Sequence, residues 1–218
     1  MSSVPLNTRD YIIFRGYFPK QSFRFSDGLF IGASFSAARS LFLKKGFKKI
    51  NVAAITKQAN IAVGTFYKYY SSKEEIFYEV YQAENEVAKR KIVTQVDTNQ
   101  SPKETIKQFI TTIIQTSKQS PILAEWYQNT EVSQLIRDYD KNEDDWQNSF
   151  VYSFLVKNVQ RWQEIGEFRQ DIDMETTLAL FNSLVVVDNH KEEMRANNYP
   201  HVLELLADMI VDGLSVKE

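Results

Sequence analysis

Apolar residues in this 218-residue chain recur three and four positions apart over most of its length, and strict two-residue alternation is almost absent. Such a period gathers side chains on one face of an α-helix but scatters them over both faces of a strand, so the chain reads as all-helical. Punctuation then divides it. The first helix covers roughly Asp27 to Lys45 and stops at Gly46, with Phe35, Ala38, Leu41 and Phe42 as its buried stripe. Asn51 can cap a short second helix from Val52 to about Ala59; a turn of Asn60, Ile61 and Ala62 follows, and a third helix covers about Val63 to Tyr70. Ser71 and Glu74 fit a capping box opening a long helix that runs to about Val96. Ser101-Pro102 and Ser120-Pro121 give two more start signals. Further helices are expected from about Asp140 to Ile165 before Gly166, from Met174 to about His190, and from Pro200 to Val211 before Gly213. Residues 1–27 are ambiguous between a strand, a surface segment and a basic arm carrying Arg9, Arg15, Lys20 and Arg24.

Charge divides the chain as sharply as periodicity does. From Gly28 to Lys73 there are eight bases (Arg39, Lys44, Lys45, Lys48, Lys49, Lys57, Lys68 and Lys73) and no Asp or Glu, although the whole chain carries a net charge of −2. An acid-free basic stretch inside an acidic protein is suited to a polyanion, and phosphate backbones are the commonest such surface. The boundaries follow: an N-terminal extension over 1–27, a nucleic-acid-binding domain over 28–73, and a larger helical domain over 74–218 that holds 14 bases against 26 acids. The absence of Cys excludes disulfides and thiolate chemistry. Arg9, Asp10 and Arg15 interrupt the N-terminus where a secretion signal needs an apolar stretch, and the aliphatic run Leu184 to Val187 is too short to span a bilayer. A soluble cytoplasmic protein with no membrane partner is expected.

Two short helices joined by a tight turn, with Ile55, Ala59, Ile61, Phe66 and Tyr70 as the apolar positions, form the pattern of a helix-turn-helix. Gly64 costs about 1 kcal/mol against Ala inside a helix, which makes sense where the backbone comes close to a phosphate or a neighbouring helix. Asn60 suits a left-handed turn position. Opposite Phe66, Thr65 and Lys68 offer a hydroxyl and an ammonium to base edges or phosphates.

The segment Ala37-Ala38, Leu41-Phe42, Gly46-Phe47, Val52, Ile55, Ala59, Ile61, Gly64-Thr65-Phe66-Tyr67, Tyr69-Tyr70, Ser72-Lys73-Glu74-Glu75 resembles the DNA-binding domain of TetR-type transcriptional regulators, over about Ser34 to Phe77. The resemblance implies a homodimeric repressor bound to a pseudo-palindromic operator, a helical domain that takes a small-molecule inducer, and a dimer interface made by the last two helices. It also implies that Asn51, Tyr67 and Lys73 hold phosphates and that Val63, Thr65 and Lys68 line the groove; Lys48 and Tyr69 complete the expected DNA-binding set. Asn51, Asn60 and Ala62 stand where the family usually has Thr, Gly and Ser. The first two keep capping and turning ability, whereas Ala62 removes a cap and a hydroxyl donor.

In the larger domain, the expected ligand-binding residues are Phe109, Trp126, Tyr127, Trp146, Phe150, Phe154, Trp162 and Phe181, since aromatic side chains on facing helices commonly line a cavity. Trp faces near Glu125 and Glu164 favour a flat aromatic or cationic molecule. An alternative is a DNA-binding regulator controlled by a protein partner docking on the acidic domain, with no small-molecule ligand. Neither histidine joins a nucleophile, and no Ser sits in a G-x-S-x-G turn, so no catalytic residues are expected. The pairs His190/Glu193 and His201/Glu204 read as solvated neighbours, and neither a metal nor a cofactor is expected.

Overall fold

The structure, a computed structural model, describes residues 25–140 and 150–216. Its elements are α1 (Phe25–Lys45), α2 (Val52–Ala59), α3 (Val63–Phe66), α4 (Lys73–Gln95), α5 (Pro102–Gln119), α6 (Pro121–Gln128), α7 (Thr130–Asp140), α8 (Phe150–Glu164), α9 (Met174–Asn189) and α10 (Tyr199–Leu214). The all-helical expectation is borne out. Among the described residues the only β-type pairing is an isolated antiparallel bridge between Phe168 and Ser215, and no helix is long and apolar enough to cross a membrane. The basic arm proposed for the first residues lies outside the described part.

Two compact units divide the chain. The first runs through Val87 and resumes over Lys118–Tyr139; the second holds Ala88–Ser117 and the chain from Asp140 onward. The charge boundary at Lys73 therefore falls within the first unit, and α4 continues from one into the other.

The first unit forms around the stripe expected of α1. Phe35, Ala38 and Phe42 pack with Phe47, Ile55, Phe66, Tyr70, Phe77 and Trp126 in one buried cluster. Phe77 meets Phe42 edge-on, with ring centroids 5.0 Å apart, and lies 4.7 Å from Phe47. Gly46 ends α1 at φ 73, a left-handed position that glycine adopts without a Cβ penalty. The helix expected after Ser120 is interrupted at Asn129, in an extended conformation (φ −138, ψ 100). Its amide still donates to Glu125 O and its carbonyl accepts from Ser133 N, so α7 starts at once.

The second unit buries Ile106 and Ile110 of α5 against Leu155, Val159 and Trp162 of α8, Leu178 and Phe181 of α9, and Leu203, Ala207 and Val211 of α10. Gly166, at φ 78, lets Glu167 N and Phe168 N both return to Trp162 O at 2.9 and 3.1 Å. Phe168 is thereby turned inward, 1% exposed, beside Trp162. Asp173 caps α9 by accepting from Thr176 N at 2.7 Å.

Candidate nucleic-acid interface

Local chemistry sets the helix-turn-helix. Asn51 Oδ1 accepts from Ala54 N at 2.9 Å and caps α2, which leaves its Nδ2 as a donor. Asn60 closes α2 at φ 54 and ψ 47, the left-handed region its side chain tolerates. Ala62 precedes α3 with no side-chain cap, as its methyl group requires. The third helix is shorter than expected: α3 ends at Phe66, and Tyr67 to Tyr69 continue as a turn in which Lys68 N and Tyr69 N bond three residues back. The cap of α4 is also shifted by one residue from the expected Ser71/Glu74 box. Ser72 Oγ accepts from Glu75 N at 3.1 Å, and Glu75 reaches back to Ser71 N at 2.6 Å.

These bonds fix which side chains face outward. Val63 is 46% and Tyr67 54% exposed; Gly64 and Lys68 are exposed too, whereas Thr65 is half-buried. Tyr69 is half-buried and packs against the core. The Tyr67 ring stands edge-on to Phe66, with centroids 5.4 Å apart, which holds its direction. A Cβ added at Gly64 would meet nothing within 4 Å, so no neighbouring helix demands glycine there. Of the two explanations for that residue, an outside surface is the one left.

The eight bases are not equivalent. Arg39 Nε donates to Glu84 Oε1 at 2.6 Å, with side chains 15% and 11% exposed, and Ser120 Oγ donates to the other carboxylate oxygen at 3.2 Å. Lys73 is folded onto Phe47, its ammonium 3.8 Å from the ring centroid and 3.4 Å from the Phe47 carbonyl. Lys48 lies 3.5 Å from Glu131 in an exposed pair. Lys44, Lys45, Lys49, Lys57 and Lys68 are exposed and have no ion-pair partner among the described residues. An acid-free stretch of sequence is thus not acid-free in space. Glu125 and Glu131 join Lys45, Lys48 and Lys49 around a groove of about 500 Å³.

Sequence reasoning missed the role of Glu125. Expected to stand near a Trp face for a cationic ligand, it instead accepts from Phe47 N at 3.1 Å and, through its second oxygen, from Asn129 Nδ2 at 2.9 Å. The partners lie 78 residues apart for Phe47 and four for Asn129. Only the second spacing leaves a trace in a helical pattern.

The aromatic residues expected to bind a ligand fall in both units. Trp126 and Tyr127 belong to the first unit, where Trp126 is in the core, Tyr127 packs against it, and Arg137 lies 5.8 Å over the Trp126 ring. In the second unit Phe109 stacks on Phe154 at 4.0 Å and 2°, with Phe150 5.8 Å away and Ile92 and Val96 alongside. Trp162 and Phe181 are core residues of that unit, 0% and 2% exposed. Trp146 lies outside the described residues. His190 meets Glu193 at 2.8 Å and His201 meets Glu204 at 3.8 Å; among the described residues no group of three or more His, Asp or Glu could hold a metal ion.

Residues 35–80 match the family model described as bacterial regulatory proteins, tetR family. Comparison with curated proteins finds no match. Among solved structures, RolR in complex with resorcinol is 18% identical, with a TM-score of 0.53 over 88% of this chain and 90% of that one. RolR without ligand gives 18% and 0.51 over 85% and 90%. A protein described under the molecular basis for control of antibiotic production by bacterial hormones gives 17% and 0.50 over 85% and 97%. At these identities the likeness establishes the fold. The resemblance read in the sequence is borne out for the segment that matches the tetR-family model, residues 35–80.

Proposed function

We propose that this protein is a transcription regulator of the TetR type, a homodimeric repressor that binds a pseudo-palindromic duplex operator and is released by a small-molecule inducer. The observation that carries the reading is the outward face of the helix-turn-helix: Val63, Gly64, Tyr67 and Lys68 exposed on α3 and the turn that follows it, beside lysines that have no internal counter-charge. Thr65 and Lys68 read base edges; Asn51 Nδ2, Tyr67, Lys48 and Lys49 take phosphates. Lys73 supports the same surface by holding Phe47 and meets a phosphate from that position.

Phe109, Phe150 and Phe154, with Ile92 of α4, are the set in the second unit best suited to a flat apolar inducer. Resorcinol bound to RolR, a protein of the same fold, supports an aromatic molecule of this kind. Because α4 carries both Ile92 and the segment that follows the helix-turn-helix, a ligand that favours one direction of α4 shifts the population away from the DNA-binding geometry.

Selection from a random duplex library tests the reading. Enrichment of a two-fold symmetric site with half-sites about 34–36 Å apart, or a multiple of that, is expected. Thr65→Ala or Lys68→Ala should change the preferred base pairs. Failure to enrich any sequence would overturn the proposal.

A further inference from the structure

We infer that Glu125, an acidic residue outside the helix-turn-helix, is a positioning residue for DNA recognition that fixes the α1–α2 turn, which carries Asn51 and holds Lys73 of α4. The inference rests on the DNA-binding reading above. Phe47 is the node. Its ring is 1% exposed, its amide donates to Glu125 at 3.1 Å, and its carbonyl accepts from Ile50 N at 3.3 Å and from Lys73 Nζ at 3.4 Å. Ile50 directly precedes the Asn51 cap, so a single residue ties the Glu125 carboxylate to both phosphate-facing side chains.

The fit at this turn is close. Gly46 stands at φ 73, and a Cβ there would lie 2.9 Å from Glu125 Oε1, below any ordinary contact. Asn129 holds the other oxygen at 2.9 Å, so the carboxylate is fixed from two sides. Electrostatics alone would work against DNA binding here, because the negative charge shares its groove with Lys45, Lys48 and Lys49 and weakens their attraction for phosphate. The two effects of Glu125 therefore have opposite sign. Removing its charge strengthens binding to any duplex; removing its hydrogen bond loosens the turn and weakens binding to the operator.

Equilibrium binding of the full chain to its selected operator and to a random duplex, with thermal unfolding alongside, separates them. Glu125→Ala should weaken operator binding about tenfold, the equivalent of one charged hydrogen bond, while random-duplex affinity stays level or rises. Glu125→Gln, whose amide oxygen still accepts from Phe47 N, should stay within about threefold of wild type. Gly46→Ala should weaken operator binding at least as much, since its Cβ would press on Glu125 Oε1 and the residue would also carry left-handed backbone strain of its own. The inference is overturned if Ala and Gln at 125 tighten both duplexes by one factor, which would leave only charge. Equal losses on both duplexes with a collapsed melting transition would overturn it too, as the mark of a residue that merely holds the fold. A wild type that selects no duplex removes the DNA-binding reading; a wild type that selects one, with Glu125→Ala unchanged, removes this inference alone.

Discussion

Arg39 and Lys49 belong to the same acid-free stretch, yet their surroundings give them different work. Arg39 is enclosed with Glu84 and Ser120, whereas Lys49 is exposed with no partner among the described residues. Replacing Arg39 by Ala strands a largely buried carboxylate and should cost about 3 kcal/mol of stability, measured by urea unfolding. It should leave the salt dependence of DNA binding unchanged. Lys49→Ala should do the reverse, lowering the slope of log K against log salt by about 0.9 with no measurable change in unfolding. Composition revealed the sign of the surface but not this division of labour. A charge count cannot see Glu84 or Glu125 arriving from distant parts of the chain.

Elements whose limits are set by local chemistry were legible in the sequence. The α2 cap at Asn51, the left-handed Asn60 and the stop at Gly46 each depend on a residue and its immediate neighbours, and each is in place. The break between α6 and α7 was not read, because Asn129 interrupts the helix without glycine or proline and the hydrogen bonding resumes within one residue. The α4 cap was misplaced by one position for a related reason: with Ser71, Ser72, Glu74 and Glu75 adjacent, two registers satisfy the same box, and only the geometry selects Ser72 with Glu75. The aromatics expected to bind a ligand fall in both units, a division set by contacts between distant parts of the chain that no local pattern shows. Asp173, which no reading of the sequence singled out, gives a further test at this scale. Its carboxyl is held below the usual carboxylate range, chiefly by the Thr176 amide it accepts from. A group with a depressed folded-state pKa contributes stability above its unfolded pKa and loses it as pH falls through the folded value. Asp173→Ala should therefore lower the melting temperature at pH 7, and the difference from wild type should shrink below about pH 4.

In the whole molecule, the second unit presents apolar surface that its own core does not use. Leu180 and Val186 of α9 are 38% and 50% exposed, and Leu205 and Met209 of α10 are 44% and 68% exposed. Leu178 and Phe181 of α9 are buried inside the unit. A two-fold dimer through α9 and α10 would cover the exposed set. Met209→Arg should then sediment as a folded monomer and bind the operator more weakly by at least an order of magnitude, since a dimer engages two half-sites and a monomer only one. A Met209→Arg variant that remains dimeric would exclude this interface. The open space around Gly64 bears on how such a protein changes over time. Alanine there would favour the one-turn helix by at most about 1 kcal/mol, and no neighbour stands in the way. Gly64→Ala should melt higher and bind its operator less tightly, and a lineage kept only for its stability would soon lose that glycine.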